Sequence, residues 1–284
     1  MEPFVLQTER NGSELLYIKS WRGRDAGLTV GFTSRRGGVS EYPFDSLNCG
    51  LHVGDAPPAV VANRARLAEA LQIGLDACTY GEQVHGNEVQ IVTKQHAGAG
   101  VDSRQSALQS KDAFITNEPG VFLHVMFADC VPLYFYDPVH RAVGLAHAGW
   151  KGTVLQIAKT TVEAMSVAYG TQANQLYAAI GPSIQSCCYE VDDTVISRVS
   201  ETMLALSIGN DQTQSLPVYQ TLPNGKYKLS LQQLNRQIMI KAGIVPTNIE
   251  ISSLCTSCRT DLFFSHRKEG GKTGRMAAWI GLYE

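Results

Sequence analysis

The sequence predicts an α+β (mixed α/β) fold, with a mixed β-sheet core and packed helices in a single domain over residues 1–284. Three observations carry that expectation. Strand-like apolar runs interleave with amphipathic helical stretches, the order that sets helices against a sheet. The composition is that of an ordinary globular chain, 44% hydrophobic and 18% charged. No repeat, low-complexity tract or long polar linker divides it, and a chain of ~300 residues buries about three-quarters of its unfolded surface.

Taken in order, "LTVGFTSR" reads as an alternating strand running into the turn "RRGGVS". Asp55-Ala56-Pro57 then opens a helix, with Asp55 as N-cap, Pro57 in the first turn and Gly74 at the end. The runs "VFLHVMFADC", "PLYFYD" and "AVGLAHA" read as strands. A helix is expected to start at Thr153, because Val154, Ile157, Ala158, Thr161, Val162, Met165, Ala168 and Tyr169 form one stripe, closed by Gly170. Another begins near Ser230, with Leu231, Leu234 and Ile238 on one side and Gly243 at its end.

Composition also excludes function classes. A formal net charge of -2 gives no electrostatic case for nucleic acid or an anionic membrane. The opening "MEPFVLQTERNGSELLYIKS" lacks the basic start and apolar run of a signal peptide, and no apolar stretch approaches ~18 residues. Seven cysteines without regular spacing do not make a secreted disulfide framework. A reduced, cytoplasmic protein is expected.

The chemistry concentrates in "ADCVPLYFYDPVHRAVGLAHAGWKGT". Asp137-Pro138-Val139-His140 reads as a hairpin loop, pairing Tyr136 with Arg141 and setting Cys130 opposite His147. Directly opposed residues share a sheet face with Cβ atoms ~4.5–5.5 Å apart, a spacing suited to two ligands of one ion. Pro132 cannot donate to the ladder, so a bulge there would change the register. A thiolate with an imidazole is a borderline-soft pair that favours zinc, with copper as the competitor. The third ligand is open among His52, His85, His96, His124, His140 and His266; His85, in "GEQVHGNEV", stands out because a glycine follows it amid strand-like residues. The plainer reading of each histidine is a hydrogen-bonded structural residue.

The chain resembles the YfiH family, the "laccase domain" or polyphenol oxidoreductase proteins, over nearly its whole length. The motifs that carry the resemblance are "FTSRRGGVSEYPFDSLNCGLHVGD", "NRARL", "EQVHG", "DAFIT", "ADCVPLYFYD", "AHAGWKGT", "IGPSIQSCCYEV" and "CTSCRTDLFFSHRKEGGKTGR". Members of that family are associated with purine nucleoside phosphorolysis and adenosine deamination. The resemblance implies a metal trio of His85, Cys130 and His147. It departs at Lys151, where the family usually has arginine, at Cys49, where leucine is common, and at "SHRK", where a tyrosine and two arginines are typical. Lysine cannot reproduce the bidentate fork of arginine on an anion.

Three protein ligands leave a fourth position for water, the pattern of a catalytic zinc, and zinc brings such a water to a pKa near ~7. That suits attack on the purine carbon bearing the 6-amino group. Phosphorolysis needs an anion site: "GWKGT" leading into the Thr153 helix offers free N–H groups and Lys151, with Arg35 and Arg275 as further candidates. Asp129 is a candidate base or orienting group, and Asn48 and Asp112 are candidates for the ribose hydroxyls or the base. For each of these the plain alternative is a turn residue or a solvated charge. Cys255 and Cys258 form a C-x-x-C with no second C-x-x-C or H-x-x-H to complete a zinc knuckle, and Cys187 and Cys188 read as structural.

The expectation is therefore a zinc-dependent purine nucleoside phosphorylase (a transferase) acting on adenosine and inosine, with S-methyl-5′-thioadenosine as a further candidate, and with adenosine deaminase (hydrolase) activity. Purine nucleosides and phosphate are the expected partners, and a homodimer is a candidate assembly. One alternative is a copper polyphenol oxidoreductase; against it, the seven histidines include no H-x-H pair of the kind multicopper oxidases use. Others are a cysteine hydrolase with Cys130 as nucleophile and His147 as base, which has no need of His85, and a binding protein that uses the trio only for structure.

Overall fold

The computed structural model describes residues 1–209 and 217–284. One seven-stranded sheet runs, in spatial order, Phe4–Thr8, Glu14–Ile18, Leu28–Thr33, Met276–Leu282, Phe122–Phe127, Cys78–Glu82 and Leu108–Gln109. A six-stranded sheet runs Ile249–Ile251, Tyr177–Ile180, Val131–Asp137, Ala142–Ala148, Ala113–Thr116 and Val89–Ile91. Both mix parallel and antiparallel pairs, so the mixed-sheet expectation holds. The helices are α1 (Pro57–Ala70), α2 (Trp150–Val154), α3 (Ile157–Tyr169), α4 (Asp193–Ala205) and α5 (Leu231–Lys241).

Side-chain alternation stacks these parts in layers. Phe32, Val125 and Phe127 of the first sheet meet Tyr134, Tyr136, Val143 and Leu145 of the second in a shared core. The intervening residues Leu133, Phe135, Ala142 and Ala146 point the other way, onto Ile157, Val162 and Met165 of α3 and Leu234 and Ile238 of α5. Met126, Ala277 and Trp279, on the far side of the first sheet, pack on Leu67 and Ala68 of α1. With both faces covered, a strand buries every residue, and the polar-out alternation expected of "LTVGFTSR" is absent: all of Leu28–Thr33 is buried.

Local chemistry corrects three boundaries. Asp55 does not cap α1: Ala56 is the N-cap, and the Asp55 carboxylate accepts from Ser40 Oγ, Asn48 Nδ2 and the Ala56 N–H. The helix ends at Ala70, short of Gly74. The stripe expected from Thr153 is broken, because Gln156 takes a left-handed φ of 60° and separates the five-residue α2 from α3. The helix expected from about Ser230, by contrast, starts there, and Ser230 caps α5 by accepting from the Gln233 N–H at 3.3 Å.

The hairpin register also differs. Tyr136 pairs with Val143, not Arg141, and His147 lies opposite Pro132, not Cys130. Asp137 is the cause. Its fully buried Oδ1 accepts from the N–H groups of Val139 and His140, so the chain turns after Asp137 and the loop becomes residues 138–141, with Arg141 at φ 47°. The shift is two residues, an even number, so every side chain keeps its face. Pro132 makes no bulge; its carbonyl accepts from Gly181 N–H.

Candidate metal centre

The site forms where the chain crosses between the two sheets. Residues 83–88 leave Cys78–Glu82 in one sheet and enter Val89–Ile91 in the other, carrying His85. Residues 128–130 make the same passage from Phe122–Phe127 to Val131–Asp137, carrying Cys130. His147 sits near the end of Ala142–Ala148, on the inter-sheet face it shares with Val143 and Leu145. One ligand atom from each of His85, Cys130 and His147 lies within 4.8 Å of the others. The rings of His85 and His147 meet edge to face with centroids 4.7 Å apart.

Asp112 organises this trio from behind. Its buried carboxylate accepts from the N–H groups of Val84 (3.1 Å), His85 (3.0 Å) and Gly86 (2.7 Å), holding His85 at a left-handed φ of 62°. It also accepts from His147 Nδ1 at 2.9 Å, which fixes the tautomer and leaves Nε2 free for a ligand. Burial alone would raise the Asp112 pKa, but the hydrogen bond and charge of His147 and the Gly86 and Val84 N–H groups lower it. Burial likewise pushes the Cys130 thiol up, yet the charge and hydrogen bonds of His147 and His85 outweigh it and bring the pKa to about 6. Burial lowers His147 in turn, and the Cys130 thiolate and Asp112 raise it to about 9. The centre thus favours a thiolate, the form that binds metal.

The residues fit a metal on their own chemistry: two imidazoles, one thiolate, and the Asp112 carboxylate that orients the His147 imidazole from behind. Gly149 shows how tightly they are packed. A Cβ there would lie 3.0 Å from Cys130 Sγ and 3.1 Å from His85 Cδ2, so the glycine after "HA" permits close approach to the centre.

The trio opens into a cavity of about 680 Å³, lined also by Asp129, Trp150, Lys151, Tyr189 and Arg275, within the about 300–1,000 Å³ of small-molecule sites. Lys151 and Arg275 are thus brought to the centre. The expected helix N-terminus is not: Thr153 N–H already donates to Gly149 carbonyl oxygen, and Lys151 lies within α2. Arg35 stands apart, its guanidinium donating to Asp45 and Thr260 carbonyls and Glu269 and lying over Phe264. Asn48 is fully buried, accepting from the Gly50 and Arg275 N–H groups and donating to Asp55, so its amide faces protein. Asp112 stands behind the trio, its carboxylate engaged by four donors, and is not among the residues lining the cavity.

Asp129 lines the cavity at φ 82°, its Oδ1 accepting from Thr256 and Ser265 hydroxyls and its Oδ2 from Arg267 N–H. These bonds make it a fastener of the cavity wall. His52 and His266, weighed in the sequence as metal ligands, line the cavity instead, and sequence reasoning missed Arg104 and Arg267, which also line it. Neither arginine carries a local signal, because loops far apart in the chain bring them there. Among the other ligand candidates, His124 is buried against Tyr80, His96 caps its own turn with Thr93, and His140 bonds Asp137.

A mixed α/β fold with a two-histidine, one-cysteine centre where the chain crosses between its two larger sheets defines a class of proteins able to hold a metal ion. The chain belongs to the family described as multi-copper polyphenol oxidoreductase laccase, whose model matches residues 29–283. It is 41% identical over 285 residues to "Purine nucleoside phosphorylase YlmD" of Bacillus subtilis, covering 99% of this chain and 98% of that one. The protein of the same name from Geobacillus stearothermophilus is 43% identical over 282 residues, covering 99% and 98%. A solved structure of YlmD from Geobacillus stearothermophilus superposes with a TM-score of 0.90 at 40% identity, over 100% of both chains. Among the described residues no helix is long and apolar enough to cross a membrane.

Proposed function

We propose that the chain is a zinc-dependent purine nucleoside phosphorylase acting on adenosine and inosine, with S-methyl-5′-thioadenosine as a further substrate and adenosine deaminase activity beside it. One observation carries the reading: the His85–Cys130–His147 centre opens into a cavity whose wall combines Trp150 and Tyr189 with Lys151 and Arg275, which form no ion pair among the described residues. Relatives named purine nucleoside phosphorylase support the phosphorylase part of that reading. His85, Cys130 and His147 would hold the ion, and a bound zinc supplies Lewis acidity and a water of lowered pKa.

This chain's own groups account for the rest. Trp150 and Tyr189 offer flat apolar faces for a purine. Lys151 carries a point charge for phosphate, and Arg275 lies deep in the wall with its Nη1 on the Thr273 and Gly274 carbonyls, leaving the remaining guanidinium donors for an anion. In phosphorolysis a phosphate oxygen bonds to C1′ as the C1′–N9 bond breaks. The electron pair leaves on the purine, which takes a proton, and ribose 1-phosphate results. In deamination water adds at C6 and ammonia departs. The reacting carbons are several bonds apart, so the two reactions need two poses.

Product analysis tests this. Adenosine yields adenine and ribose 1-phosphate only with phosphate, and inosine without it; inosine yields hypoxanthine with phosphate and nothing without. Failure to consume either nucleoside, while a phenol is oxidised in proportion to bound copper, overturns the reading. The Asp112–His147–Cys130 chain of hydrogen bonds also has the form of a hydrolytic triad. Activity that survives His85→Ala and full metal removal would favour that second reading.

A further inference from the structure

Away from the cavity's floor, four cysteines that no local motif connects meet at one point. Cys187 and Cys188 follow the strand Tyr177–Ile180, and Cys255 and Cys258 follow Ile249–Ile251, its parallel neighbour in the six-stranded sheet. The two segments leave the sheet side by side, with Ser183 bridging Cys255 and Thr256 N–H donating to the Ser183 carbonyl. The C-x-x-C thus gains the partner pair its sequence lacks, in the form of two adjacent cysteines. All four Sγ atoms lie within 4.8 Å of one another. Three of the separations are 3.8 Å (Cys187–Cys188), 3.5 Å (Cys187–Cys258) and 3.4 Å (Cys188–Cys258), and all four thiols are free.

Those distances select among occupants. Zn–S bonds of about 2.3 Å in a tetrahedron set the sulfurs about 3.8 Å apart. A disulfide would bring two of them to about 2.05 Å. An iron–sulfur cluster spreads its cysteines around several iron atoms, wider than one ion's shell. We propose that Cys187, Cys188, Cys255 and Cys258 form a second, structural zinc site, closed by four thiolates and separate from the His85–Cys130–His147 centre. The four thiols release their protons to solvent as the ion binds. The surroundings support the anionic cage this creates: Gln185 N–H donates to Cys255 Sγ at 3.4 Å, and Lys228 Nζ donates to the Cys187 carbonyl at 2.9 Å.

The site's position gives it a task. On one of the joined segments, Ile184 and Tyr189 line the cavity, and Ile184 N–H donates to the Asp129 carbonyl. On the other, Thr256 Oγ1 donates to the Asp129 carboxylate at 2.7 Å. A zinc ion joining them staples one wall of the cavity to the sheet. This inference does not rest on the proposed reaction, since four thiolates fill the ion's shell and leave no open position for chemistry.

The test uses the full chain with the first centre disabled by Cys130→Ser and His147→Ala, expressed with zinc, copper and iron all supplied and purified under reductant. Elemental analysis should find one zinc ion per chain, and adding Cys255→Ser with Cys258→Ser should lower it about tenfold or more. Should the fourfold variant fail to fold, cobalt loaded into the double variant gives the second readout. Strong thiolate-to-cobalt charge transfer with tetrahedral d–d bands is expected. Zinc absent from the double variant, copper or iron in its place, a weak octahedral cobalt spectrum, or a disulfide among the four cysteines each overturns the proposal.

Discussion

Asp112 is the residue on which the centre turns, because one carboxylate holds the His85 loop in a left-handed turn and fixes the His147 tautomer. Asp112→Ala should lower zinc affinity of that centre about 10–100-fold, the usual cost of losing the carboxylate that orients a ligating histidine, as read by competition with a chelator. Gly149→Ala should act by contact alone: with Cys130 Sγ 3.0 Å from the new Cβ, the trio must shift. Zinc occupancy and turnover are then expected to fall while the denaturation midpoint changes little, and an unperturbed metal content would refute the close-approach argument. For the anion, Lys151→Ala should raise the phosphate KM more than the nucleoside KM; an unchanged phosphate KM removes Lys151 from the site and leaves Arg275.

At the scale of elements, the hairpin Val131–Asp137 and Ala142–Ala148 decides where His147 stands, and the Asp137 turn decides the hairpin. Asp137→Ala would strip acceptors from the Val139 and His140 N–H groups and from His140 Nδ1. The expected cost is about 1–3 kcal/mol, that of leaving buried or half-buried donors unmet, measured as a lower urea midpoint with an unchanged m-value. The same residue shows how far sequence could go. Asp-Pro-Val-His is legible as a turn, but whether Asp137 belongs to the loop or to the strand depends on which N–H groups its carboxylate captures. Gln156 makes a similar point: the apolar stripe from Val154 to Tyr169 reads as one helix, and only the left-handed residue between α2 and α3 divides it.

At the scale of the whole molecule, one buried histidine ties stability to pH. His124 is fully buried; its Nδ1–H donates to the Phe122 carbonyl at 3.1 Å and its Nε2 meets no partner among the described residues. Burial lowers its pKa from 6.5 to about 3. Between that value and 6.5 the unfolded chain binds a proton that the folded one refuses, so stability falls as pH drops through this window. The histidine contributes about 1.4 kcal/mol per pH unit there. His124→Phe should flatten the acid limb of a stability–pH curve by roughly one proton's worth; an unchanged slope would show that His124 is not the group responsible.

Residue types and short-range pattern are local quantities, and the sequence determined what depends on them: the mixed α/β class, the helix start near Ser230, the strands around Cys130 and His147, and the donor chemistry of an imidazole beside a thiolate. Which side chains share a site depends on how distant segments pass one another, and that was left to the tertiary structure. His85 reaches Cys130 because two crossings between the sheets run side by side, and Asp112 reaches both because Ala113–Thr116 pairs with Ala142–Ala148. Arg35 and Asn48, plausible ligand contacts in sequence, are taken up by protein partners that lie up to 234 and 227 residues away. The adjacent pair Cys187–Cys188 finds Cys255 and Cys258 only because two parallel neighbouring strands deliver them to the same edge. Hydrogen-bond and ligand geometry act over a few ångströms in space, and separation along the chain does not constrain them.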